Sequence, residues 1–210
     1  MKKLLAVQII GLLLISGALG GLLSSSTIYD DVRSSIVTVL CLSCIKLDPK
    51  TVREFTFTTP NNADHPDFII ENLTRGPIFL AYREDVCEAC DTMEPIIQEI
   101  FGVEYEKEET FFEPVLIDSA NVTFIRINID HTSMELRETL TFYDKENVSG
   151  LPMFTFVTLG YDRGFIKPYY VSVYGTLGLE TYEERENLLT TLLQESIDLY
   201  KENLEGFQHP

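Results

Sequence analysis

Tryptophan is absent from the 210 residues, histidine occurs three times, and basic side chains are scarce, with 16 Lys and Arg against 33 Asp and Glu. The formal net charge of −17 argues against nucleic acid as a partner, because phosphates call for a basic surface. That charge favours solubility and steers basic partners, and it says nothing about fold. His65, His131 and His209 are scattered with no evident partner, and His131 reads as a loop residue after a strand, not a metal ligand. Cysteine occurs four times, and none follows directly on the apolar N-terminal run, so a lipid-modified cysteine is not expected there.

That run is the first positive feature. Lys2 and Lys3 precede apolar residues from Leu4 to Leu23, interrupted by Gln8 and Ser16. Ala18-Leu19-Gly20 has the small-x-small form of a cleavage site. The run of about 20 residues is also long enough to span a bilayer uncut. Residues 1–23 therefore read as either a signal peptide or a membrane anchor. Lysines before the run, with Asp30 and Asp31 after it, place the amino end in the cytoplasm and the body outside. The expected location is extracytoplasmic, secreted or membrane-anchored, where disulfides persist. Glycosylation triplets begin at Asn72, Asn121 and Asn147, and they are permissive only.

The chemistry concentrates at Cys87-Glu88-Ala89-Cys90. The short apolar run Ile78–Tyr82 ends in a polar turn, the two cysteines follow, and a helical pattern starts at once. Met93, Ile96, Ile97, Ile100 and Phe101 fall on one helix face. The cysteines thus sit on the first turn of a helix, where free N–H groups and the positive end of the dipole favour an anion. A thiolate is such an anion, so Cys87 is expected to be reactive. Cys90, one turn on, can attack a mixed disulfide made by Cys87. A plain disulfide, or half of a zinc site, is the competing reading, and the strand–helix setting favours redox chemistry.

Elsewhere the pattern predicts alternating elements. Residues 24–50 form an N-terminal extension with a four-residue apolar repeat (Ile28, Val32, Ile36, Leu40) that predicts a helix. Residues 51–59 alternate in part and read as a strand, and 66–74 as a short helix. The helix from Cys87 carries Pro95, which is expected to kink it. Residues 103–121, rich in Glu, read as an irregular insertion. A strand over 122–129 precedes a helix whose capping box is assigned to Thr132 and Glu135. A strand follows Pro152, Gly160 to Gly164 reads as a turn, and 169–174 as the antiparallel return strand. Thr181 and Glu184 cap a final helix with Leu189, Leu193, Ile197, Tyr200 and Leu204 on its apolar stripe, before a tail at 206–210. The expected order is β-α-β-α-β-α-β-β-α, an α/β fold with a mixed central sheet and helices on both faces.

Cys87 to Ile96, with a proline five residues after the second cysteine, together with Ile127-Asn128-Ile129-Asp130, Val148-Ser149-Gly150-Leu151-Pro152 and Gly175, resembles the thioredoxin family. The resemblance covers about residues 51–204 and implies a thioredoxin-like domain over 51–205, with 103–121 as its insertion. It implies Cys87 as nucleophile, Cys90 as buried resolving thiol, and Pro152 as a cis proline against the disulfide. It also implies that the Leu151 backbone pairs with an extended substrate segment. Three positions depart from the family. Ala81 stands where a buried aspartate is common, unless Glu84 or Asp85 takes its place, and Val86 stands where an aromatic is common. The dipeptide that tunes the potential is Glu88-Ala89. A carboxylate beside Cys87 opposes the thiolate and makes the pair more reducing.

Cys41 and Cys44 form a second CxxC, read as a redox relay, a structural disulfide, or a partner to Cys87 and Cys90 in one tetrahedral zinc site. The 42-residue gap between the pairs is far longer than zinc-ribbon spacing, so no metal is expected. The reading that results is an extracytoplasmic thiol–disulfide oxidoreductase, a reductase or isomerase before a strong oxidant. It needs no organic cofactor, acts on protein disulfides or dithiols, and works with a membrane or extracytoplasmic redox partner. The alternatives are a non-catalytic thioredoxin-like client-binding module and a zinc-stabilised structural domain.

Overall fold

A computed structural model describes residues 54–145 and 147–206. The N-terminal run, the 24–50 extension with Cys41 and Cys44, residues 51–53 of the expected first strand, and residues 207–210 of the tail lie outside the described residues. Among the described residues no helix is long and apolar enough to cross a membrane.

After a 3-10 turn at Pro60–Asn62 come α1 (Asp67–Leu73), β1 (Ile78–Arg83), α2 (Glu88–Phe101), β2 (Phe111–Ile117), β3 (Ala120–Asn128), α3 (Met134–Tyr143), β4 (Met153–Asp162), β5 (Phe165–Tyr174) and α4 (Tyr182–Asn203). The five strands form one mixed sheet in the order β2-β3-β1-β4-β5. β1 and β3 are parallel, and every other pairing is antiparallel. β1 is central and buried throughout, as its unbroken apolar run requires.

Alternation along β1 sends Phe79 and Ala81 to one side and Ile78, Leu80 and Tyr82 to the other. On the first side α2 contributes Met93, Ile96, Ile97 and Phe101, and α4 contributes Leu189, Leu192, Leu193 and Ile197. Phe79 stacks there on Phe101, ring centres 4.7 Å apart. On the second side α1 and α3 contribute Ile69, Leu73 and Tyr143, and the Tyr82 hydroxyl donates to Thr139 of α3 at 2.9 Å. Each face thus buries its own apolar layer, the arrangement that holds an α/β sheet in place.

The order of elements differs from the expected one in two places. Residues 54–59 form no strand: Thr56 alone bridges Tyr170 at the outer edge of β5, while Phe55 is buried and Phe57 stacks on Tyr169. Side-chain packing produced the alternation there, and Pro60 stops the ladder from growing. Residues 103–121 hold a regular strand, β2, at the sheet edge. Pro114 is tolerated because the Thr123 N–H opposite it donates to Pro77, which turns the Pro114 nitrogen to the free edge.

Smaller boundaries move as well. Gly160 lies within β4, because the Tyr169 and Phe57 rings come so close that a Cβ would sit 2.7–2.9 Å from them. The hairpin turn is the pair Arg163-Gly164, both at positive φ, matching the strand twist. Ser133, not Thr132, caps α3, accepting from the Leu136 N–H, so the carboxylate of a capping box falls one residue out of register. Thr181 and Glu184 do form the reciprocal box at the start of α4. Leu204 ends up exposed beyond that helix, off the apolar stripe. α2 runs as one helix through Pro95, whose missing N–H leaves the Asp91 carbonyl without its helical donor.

Candidate active site at the start of helix α2

Cys87 is the N-cap of α2, in extended conformation (φ −145°, ψ 95°), and its Sγ accepts the Cys90 N–H at 3.1 Å. The two cysteines form a disulfide with Cα atoms 5.1 Å apart. Cys87 is half-buried and Cys90 fully buried, so one sulfur can be reached and the other is shielded. Val86, before the pair, is almost fully exposed. Glu88 is exposed on the first turn, Ala89 is half-buried, and Asp91 adds a second carboxylate to that turn.

The Leu151–Pro152 peptide is cis. Pro152 is buried and lines a small cavity together with Ala81, Cys90, Glu94, Arg126 and Phe154. Its carbonyl accepts from the Gly175 N–H at 2.7 Å, which ties the loop to the end of β5. Gly175 has φ +60°, a conformation that suits glycine. Asp144 organises the loop before Pro152: its carboxylate accepts from the Val148 and Ser149 N–H groups, each at 2.8 Å, and from the Tyr174 hydroxyl at 2.9 Å. Leu151 is half-buried beside it.

Beneath Cys90 lies a charge cluster. Glu94, one helical turn after Cys90, accepts from Arg83 at 2.7 Å and from Arg126 at 2.5 Å. Arg83 also donates to Asp91, which in turn meets Lys107. The Arg83, Arg126 and Glu94 side chains are 4%, 2% and 18% exposed. Arg126 further donates to the carbonyls of Lys107 and Glu109 and lies over the Tyr105 ring, 4.6 Å from its centre. Burial, and secondarily the nearby Glu94 carboxylate, raise the Tyr105 hydroxyl pKa far above the ordinary value. Hydrogen bonds from Lys107, and then Arg83, hold the Asp91 carboxyl below the usual range.

A second network braces the turn before Cys87. Asn128 donates to Asp85 at 2.9 Å and to the Lys107 carbonyl at 3.1 Å, and the His131 ring meets Asp85 at 2.8 Å. The Asn128 amide, and then His131, lower the Asp85 pKa. The Asp85 N–H donates to Asp130.

The structure brings Cys87, Cys90, Glu88, Ala89, Leu151 and Pro152 to one end of the sheet, where β1 and β3 finish. Neither Glu84 nor Asp85 replaces the missing strand carboxylate: Asp85 faces the His131 network, and the acid that shares a cavity with Cys90 is Glu94. His131 has a partner in Asp85, and His65 has one in the Tyr143 hydroxyl at 3.0 Å, whereas the sequence suggested none for either. Sequence reasoning missed Arg83, Glu94 and Arg126. The signal was available, since Cys90 and Glu94 are four apart on one helix face and Arg126 interrupts an apolar strand. Among the described residues no group of three or more His, Cys, Asp and Glu could hold a metal ion. No protein-family model matches this chain, and no curated protein matches it.

Proposed function

We propose that Cys87 and Cys90 are the exchange centre of a thiol–disulfide oxidoreductase with thioredoxin-like topology, working outside the cytoplasm on protein disulfides or dithiols. The observation that carries this reading is the placement of the pair: a half-buried cysteine capping a helix, its sulfur hydrogen-bonded by the N–H of its buried partner, which lines one small cavity with Pro152. The mixed sheet with helices on both faces agrees with it. The lysines and apolar run at residues 2–23 support the extracytoplasmic location.

In the reductive direction the Cys87 thiolate attacks one sulfur of a substrate disulfide. A mixed disulfide forms, and the other substrate sulfur leaves as a thiolate. Cys90 then loses its proton to solvent and attacks the Cys87 sulfur. The Cys87–Cys90 bond forms, and the second substrate thiolate leaves. The protein loses two electrons, and the substrate takes up two electrons and two protons to become a dithiol. The reverse sequence oxidises a dithiol. The N–H of Cys90 and the helix dipole stabilise the Cys87 thiolate, while Glu88 opposes it, which favours a reductase or isomerase.

The test uses the full-length chain, dithiothreitol as the terminal dithiol, and a disulfide-linked fluorescent peptide as substrate. Turnover should vanish in Cys87→Ser, and Cys90→Ser should accumulate a mixed disulfide at Cys87. Undiminished turnover in Cys87→Ser would end the proposal.

A further inference from the structure

We propose that the outer face of β2 is a docking surface for a basic polypeptide segment. The face follows from the sheet. Phe111, Val115 and Ile117 turn toward the α2 side and pack against the core there. Phe112, Pro114 and Leu116 alternate to the other side. Their β3 partners on that side are Ile125, Thr123 and Asn121. Ile125 and Thr123 are buried, yet Phe112 and Leu116 are 52% and 71% exposed. Two large apolar side chains on one strand face, with a proline between them, are left for another surface to cover.

Charge determines what fits. From 103 to 118 the chain has six carboxylates (Glu104, Glu106, Glu108, Glu109, Glu113 and Asp118) and one cation, Lys107. All six are exposed, and the Lys107 ammonium is engaged by Asp91. Glu113 falls on the opposite face by the same alternation, and the other five carboxylates flank β2 in sequence, so the apolar strip lies in an acidic stretch of the chain. A second copy of this chain, itself at −17, would bring like charge to that stretch. A basic, partly apolar segment complements both parts.

The mode of contact is also constrained. Phe112, Pro114 and Leu116 turn their backbone groups to the free edge, as the Thr123 bond to Pro77 shows by parity. Pro114 removes the middle donor of that edge, which breaks a continuous added ladder. The partner packs on the side chains. β2 begins opposite Arg126, at the sheet end that carries the cysteines, and is two strand spacings, about 10 Å, from β1.

The proposal goes beyond the exchange reading and does not depend on it. The test is fluorescence anisotropy with the full-length, disulfide-intact chain and two labelled peptides, alternating Leu-Lys and alternating Leu-Glu. The lysine peptide should bind at least about tenfold more tightly at low salt, and the gap should shrink at about 1 M salt, where the Debye length is roughly 3 Å. Phe112→Ser/Leu116→Ser should lose most of that binding with an unchanged circular dichroism spectrum. Glu106→Lys/Glu108→Lys should weaken the lysine peptide and strengthen the glutamate peptide. Equal binding of the two peptides, or full binding by the serine variant, overturns the proposal. So does a dimer in sedimentation equilibrium that the serine variant abolishes, which would give the face to a second copy.

Discussion

Replacing Glu94 with glutamine perturbs the cluster under the Cys87–Cys90 pair most cleanly. Gln keeps the shape and one acceptor oxygen but removes the charge shared by Arg83 and Arg126. Both arginines are almost wholly buried and cannot lose their protons, so Arg126 is left without a carboxylate partner and Arg83 keeps only the half-exposed Asp91. Removing one partner from a buried ion pair costs about 3–5 kcal/mol. A domain of this size has a total stability of about 5–15 kcal/mol, so the loss is a large fraction. At about 2–4 °C per kcal/mol, the unfolding midpoint should fall by roughly 6–20 °C. The assay is thermal and urea unfolding of Glu94→Gln beside Glu106→Gln, whose exposed carboxylate should change stability by no more than about 0.5 kcal/mol. A second readout is the reduction potential. Less negative charge beside Cys90 favours thiolate, hence the reduced form, so the potential should rise, by about 30 mV for each 1.4 kcal/mol. A Glu94→Gln protein within about 1 kcal/mol of the parent, at an unchanged potential, would refute the account of the cluster.

Two further perturbations test the frame. Burial lowers the His65 pKa from 6.5 to about 4 despite the opposing Asp64 charge. The unfolded chain therefore binds more protons between those values, so the stabilisation is complete above pH 6.5 and lost as pH falls toward 4, about 3 kcal/mol in all. Urea midpoints across that window should fall less steeply in His65→Gln; identical slopes would contradict the assignment. At Gly76 an added Cβ would lie 1.6 Å from the Asn121 carbonyl oxygen, so Gly76→Ala should cost at least about 1–3 kcal/mol in urea unfolding. An unchanged midpoint would show that β3 can yield there.

Much of this was legible from residue order. The run from Ile78 through Cys90 into the Met93–Phe101 face specifies a strand, a turn that ends at the cysteine pair and a helix by local pattern alone. The Thr181–Glu184 box was equally plain, because both members lie within one turn. β2 was hidden because the Glu-rich residues just before it made the whole 103–121 stretch look irregular, and Pro114 looks like a breaker until its nitrogen is seen to face the free edge. Residues 54–59 misled in the opposite sense, since Phe55 and Phe57 alternate to pack on Tyr169, not to form a ladder. The Arg83–Glu94–Arg126 cluster joins three elements that only the fold brings together.

The central claim is that Cys87 and Cys90 exchange electrons with substrates, and the most direct test is the reduction potential of that pair in the full-length chain. Equilibration with glutathione or dithiothreitol, followed by thiol trapping and mass assignment of each cysteine, separates it from Cys41 and Cys44. The account predicts a reversible two-electron couple between roughly −180 and −270 mV. A value near about −120 mV would contradict the reducing role assigned to Glu88. A pair that stays oxidised below about −300 mV would make the disulfide structural and end the exchange reading.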